Sequence, residues 1–148
     1  MPPDTAEDPY NLRRFLHAQA TDYSHALQEL QSGRKRSHWM WYVFPQFDGL
    51  GRTPAASEYA IKSLAEARAY IWHPVLGPRL IECTQTVLAI EDASLNEIFG
   101  SPDDLKFRSC MTLFELIAPD PGPFASALER FCAGQRDLRS LELIEKSG

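Results

Sequence analysis

The chain has 148 residues, a net charge of −5, 44% hydrophobic and 24% charged residues. Those values fit one globular domain able to bury a core without metal or disulfide staples, and they disfavour a general nucleic-acid binder, which needs clustered Lys and Arg. No apolar run is long enough to span a bilayer, and the acidic, proline-bearing start Met1-Pro2-Pro3-Asp4 lacks the basic and apolar parts of a secretory signal. The expectation is a cytoplasmic protein with no membrane partner.

In chain order, residues 1–7 are expected to be a disordered tail, with a single helical domain over 8–148. Asp8-Pro9 suits a helix start, followed by Leu12, Phe15 and Leu16 at helical spacing. Thr21 or Asp22 is expected to cap a second helix carrying Tyr23, Ala26, Leu27 and Leu30, with Gly33 as its left-handed terminator. Ser37 to Pro45 is ambiguous. Its aromatic and β-branched residues suit a strand, whereas Ser37 as cap and Pro45 as stop favour a two-turn helix. Residues 46–53 are predicted as a loop.

Thr53-Pro54 opens a short helix running to Ile61. Ser63-Leu64-Ala65-Glu66 has the capping-box pattern, and His73-Pro74 ends that helix. Leu76, Leu80, Cys83, Val87 and Ile90 form one apolar stripe. Ser94-Leu95-Asn96-Glu97 is a second capping box. Ser101-Pro102-Asp103-Asp104 then starts a helix with Phe107, Cys110, Met111 and Phe114 buried, and an expected Asp104–Arg108 pair on one face. Phe124, Leu128 and Phe131 mark one more helix. Asp137 caps the last, with Leu138, Leu141 and Ile144 inward. The sum is an all-α, compact bundle of about seven or eight short helices.

Five strings are distinctive: Asp8-Pro9-Tyr10-Asn11-Leu12, Gly33-Arg34-Lys35-Arg36-Ser37-His38-Trp39-Met40-Trp41, Phe44-Pro45-Gln46, His73-Pro74-Val75-Leu76-Gly77 and Asp103-Asp104-Leu105-Lys106-Phe107-Arg108-Ser109. Together, over roughly residues 8 to 145, the chain resembles the bacterial domain-of-unknown-function family 1810, some members of which are labelled calpastatin-like. The resemblance implies a small all-α fold. It implies no established activity and supplies no catalytic residues. Calpastatin is a long disordered inhibitor, unlike a packed domain such as this.

Two segments have the chemistry to bind something. Arg34, Lys35 and Arg36 precede Ser37, whose first helical amides would favour an anion, and Trp39 and Trp41 offer rings for stacking. His38 is the one histidine in a suggestive setting. Asp103 or Asp104 would hold Arg36 or His38 across a pocket if the segments meet, with Lys106 and Arg108 helping to close it. The candidate ligand-binding set is therefore Arg34, Arg36, His38, Trp39, Trp41, Asp103, Lys106 and Arg108. Two functions remain open: a small-molecule site for an anionic, nucleotide-like ligand, or a protein-interaction module with exposed aromatic anchors and no catalysis. Concavity separates them. Metal-ligand spacing, a P-loop and a nucleophile elbow are all missing from the sequence, so no cofactor is expected and enzyme status stays open. Cys83, Cys110 and Cys132 are expected to be reduced, buried thiols.

Overall fold

A computed structural model describes residues 8–147; the expected tail over 1–7 lies outside them. Among these residues nine α-helices occur, with no strand beyond an isolated bridge between Phe47 and Ile61. They are α1 (Arg13–Gln31), α2 (Met40–Val43), α3 (Pro54–Glu58), α4 (Leu64–Trp72), α5 (Leu76–Leu88), α6 (Leu95–Phe99), α7 (Asp103–Ile117), α8 (Gly122–Cys132) and α9 (Leu138–Ser147).

Helix α1 is one uninterrupted element of 19 residues. The expected break at Thr21 or Asp22 does not occur, because the apolar face from Phe15 to Leu30 stays in phase and packs on α5. Asp8 does serve the start: its carboxylate accepts from the Leu12 and Arg13 amides at 2.7 and 3.0 Å. Gly33, with φ +89°, follows the end of α1 as expected.

Helix α7 is the axis of the fold. It packs on α4, α6, α8 and α9, and every residue from Ser109 to Phe114 is buried. Phe107 meets Phe99 and Phe44 at ring distances of 4.9 and 5.1 Å. Phe114 meets Tyr70 and Phe124 at 5.5 and 5.9 Å. Burying each such ring stabilises the fold by about 2–3 kcal/mol before packing effects. Gly77 lets α5 run against α4, since a Cβ there would lie 2.1 Å from the Ile71 carbonyl oxygen.

The caps follow the sequence unevenly. Ser94 and Glu97 complete a full capping box. Thr53 caps α3 through the Ala56 amide, and Asp137 caps α9 through the Ser140 amide. Ser63 accepts from the Glu66 amide, but the box stays half-made because the Glu66 carboxylate turns to Arg14 and the Lys62 amide. Helix α3 ends at Glu58 rather than Ile61, whose backbone pairs instead with Gln46 and Asp48. Pro102, not Ser101, occupies the N-cap of α7, and no side chain caps there. Leu138 points outward, 70% exposed, because only Ser140 and Ile144 of α9 face inward deeply.

Candidate functional site

The two segments singled out in the sequence do meet. Lys35 Nζ lies 2.8 Å from Asp103, and the Lys35 amide donates to the Ile98 carbonyl at 2.7 Å. The residue that Asp103 holds is thus Lys35, not Arg36 or His38. Lys106 approaches the same carboxylate at 3.3 Å, so two ammonium groups share one acid and one positive charge is left over.

The turn from Arg34 to Trp39 does not form the expected two-turn helix. Helix α2 begins only at Met40, and Trp39, not Ser37, occupies its N-cap. The reason is Glu29 on the last turns of α1. Its carboxylate accepts from the Arg36 amide (2.7 Å), the Ser37 amide (2.9 Å), the Ser37 hydroxyl (2.6 Å) and the Trp39 indole N–H (2.9 Å). The anion-receptive turn therefore holds an anion already, the chain's own. Burial alone would raise the Glu29 pKa, but these donors outweigh it and hold it at about 2.

That arrangement separates the candidate residues. Trp39 is 1% exposed and committed to Glu29, with Lys35 Nζ over its ring at 5.2 Å. Arg34, Arg36 and His38 project from the turn into solvent. Arg108 does not pair with Asp104. It donates to the Gln135 and Arg136 carbonyls at 3.0 and 2.8 Å, tying down the turn before α9. Asp104 instead accepts from the Asn96 amide group and the Leu105 amide.

Trp41 and Lys106 sit elsewhere, in a cleft of about 420 Å³ between the start of α7 and the loop from Gln46 to Thr53. Lys106 Nζ lies 4.9 Å from the Trp41 ring centroid, a cation–π contact. Leu50, Leu105 and Pro102 supply apolar wall, and Arg52 stands at the rim with no ion pair to any described residue. The loop wall is close-packed: a Cβ on Gly51 would lie 2.4 Å from that of Ala56. At the far end stand Ser109 and Asp137. Asp137 Oδ2 accepts from the Ser109 hydroxyl (3.1 Å), the Ser140 amide (3.0 Å) and the Ser140 hydroxyl (2.5 Å). The Asp137 amide donates to Thr112 Oγ1 at 2.9 Å. A broader depression of about 550 Å³ along the ends of α1 and α5 has neither a cation nor an aromatic ring in its lining, so the smaller cleft is the better site.

The sequence reading missed three things. Arg52 and Asp137 enter the cleft from a loop and a helix cap, far apart in the chain. Arg14 and Glu66 form a nearly buried ion pair at 2.6 Å. The remaining N–H groups of Arg14 donate to the carbonyls of Tyr10, Asn11, Glu58 and Ala60. Trp72, 70% exposed at the α4–α5 corner, is the most exposed of the three tryptophans. Residue type and local spacing gave no sign of these tertiary roles.

The thiols offer little reactivity. Cys83, Cys110 and Cys132 are free, the first two buried and the third half-buried. Burial raises all three pKa values, that of Cys83 to about 12. Among the described residues no cluster of metal-ligand side chains occurs, and no helix is long and apolar enough to cross a membrane.

No curated protein matches the sequence. Among solved structures, the crystal structure of the conserved hypothetical protein Rv1873 from Mycobacterium tuberculosis superposes with a TM-score of 0.91 at 48% identity, covering 93% of this chain and 98% of that one. A family model described as a protein of unknown function, DUF1810, matches residues 9–144, and the chain belongs to that family.

Proposed function

We propose that the cleft between α7 and the Gln46–Thr53 loop binds a small organic anion with a flat apolar body. A single observation carries this reading: the Lys106 ammonium lies over the Trp41 ring inside a concave, largely apolar cleft, with Arg52, which pairs with no described acid, at its rim. Cation and ring together suit a ligand whose anionic group meets Lys106 and Arg52 while its body lies along Trp41 and Leu105. The leftover positive charge of the Lys35–Asp103–Lys106 cluster adds to the attraction. Aromatic carboxylates and nucleotide-like phosphates both have this form. A cytosolic setting fits the three free thiols.

Isothermal titration of the protein with para-methylbenzoate and with adenosine monophosphate tests the reading. Lys106→Ala should weaken whichever anion binds by roughly tenfold to a hundredfold, the value of a charge-assisted contact. Equal affinity in wild type and Lys106→Ala would overturn it. The exposed Trp72 beside Val75 favours the second reading, a protein-interaction face at the α4–α5 corner, independent of the cleft.

A further inference from the structure

The far end of the cleft carries a feature that an anion site alone does not need. Asp137 Oδ2 accepts from the Ser140 amide and hydroxyl and from the Ser109 hydroxyl, which it shares with the Leu105 carbonyl, and Oδ1 accepts none from any described residue. No buried side-chain oxygen or nitrogen among the described residues lacks a partner, so Oδ1 is not sealed from solvent, and Asp137 lines the cleft. The carboxylate cannot swing away. Its backbone is fixed by Thr112, the turn before it by Arg108, and its other oxygen by two serines. A carboxylate oxygen without a partner, on a side chain that lines a cleft, is an acceptor set for a ligand's donor.

We infer that the cleft takes an elongated zwitterion, with an ammonium group on Asp137 Oδ1, an anionic group on Lys106 and Arg52, and an apolar or aromatic spacer along Trp41. This rests on the cleft being the binding site and goes further by naming the ligand's two poles and their separation. Lys106 Nζ reaches back toward Asp103, whereas Asp137 sits beside Ser109. Residues 103 and 109 are six positions apart on α7, roughly 9 Å by the ordinary rise of an α-helix. A separation of that order exceeds the one between the ammonium and carboxylate of a single α-amino acid head group. They match an acid and an amine at opposite ends of a ring or short chain. Leu50, Leu105 and Pro102 between the poles suit an apolar spacer.

Three matched probes test this: para-aminomethylbenzoate, which has both poles; para-methylbenzoate, which lacks the amine; and para-methylbenzylamine, which lacks the acid. Wild type should bind the first at least tenfold more tightly than either of the others. Asp137→Asn keeps a good helix cap but replaces one carboxylate oxygen by a donor group. It should erase the advantage of the amine while leaving para-methylbenzoate within about twofold, with urea unfolding showing that the fold is kept. If para-methylbenzoate binds as tightly as para-aminomethylbenzoate to wild type, the zwitterion is overturned and the anion site stands. If the amine advantage survives in Asp137→Asn, Asp137 is not its partner and the inference falls. If none of the three binds, the cleft reading fails and takes this inference with it.

Discussion

Two carboxylates, Glu29 and Asp137, sit in separate polar clusters and are used in opposite ways. Glu29 closes its cluster: both oxygens are bound, by two amides, a hydroxyl and an indole of the chain itself. Asp137 leaves its cluster open: one oxygen is held, the other accepts no hydrogen bond from any described residue, and the residue lines a cleft. The same division holds for the cations. Arg14 spends all its donors on four carbonyls and Glu66, while Arg52 has no ion pair with any described residue. Basic and aromatic residues side by side thus mark structure where a carboxylate of the chain completes them. Where one pole stays unspent they are the candidates for a site.

The closed clusters should answer to mutation in stability. The largest effect belongs to Arg14→Ala, which strands the nearly buried Glu66 and should cost about 3–5 kcal/mol in urea unfolding. A cost under about 1 kcal/mol would show that Glu66 finds water or another donor.

Glu29→Ala should cost about 2 kcal/mol, since it unpins the Arg36–Trp39 turn from α1. Glu29 also has a pH signature. Its pKa falls from about 4.5 to about 2 on folding. Its contribution is complete above the higher value and is lost as pH drops toward the lower one. Acid unfolding of Glu29→Ala should lack that portion, and an unchanged acid limb would contradict the assignment.

The open cluster should answer in affinity instead. Lys106→Ala should weaken anion binding roughly tenfold or more while changing stability by less than about 1 kcal/mol, because its bond to Asp103 is partly exposed. The smallest effect is expected for Arg36→Ala. Its side chain is exposed with no ion pair to any described residue, so stability should shift by under about 0.5 kcal/mol and cleft affinity should not change. A loss of affinity there would move the ligand onto the turn.

Much of the fold was legible because caps and apolar faces are local signals. The Ser94–Glu97 box, the Thr53 and Asp137 caps and the α7 stripe all appear where residue type and spacing put them. The break expected at Thr21 did not form, since a cap residue in mid-helix is overruled when the apolar face continues in phase. The turn at Arg34–Trp39 was legible as anion-receptive but not as occupied. Glu29 lies a turn back along α1, and only the reversal of the chain at Gly33 brings it round. The cleft was half-legible. Trp41 and Lys106 stood out by type, whereas Arg52 and Asp137 join them only through tertiary packing.

The three tryptophans fall in three different settings, so one spectrum separates the accounts: Trp39 in the closed turn, Trp41 in the cleft, Trp72 on the exposed corner. Nitrogen–proton correlation NMR of the full chain, titrated with para-methylbenzoate, reports each indole N–H separately. Binding in the cleft predicts that the Trp41 indole and the backbone amides of Leu105, Lys106 and Arg52 shift with saturation, while the Trp39 and Trp72 indoles hold still. Saturable movement of Trp39 or Trp72 with Trp41 unmoved, or no saturable shift at any of the three, would contradict it.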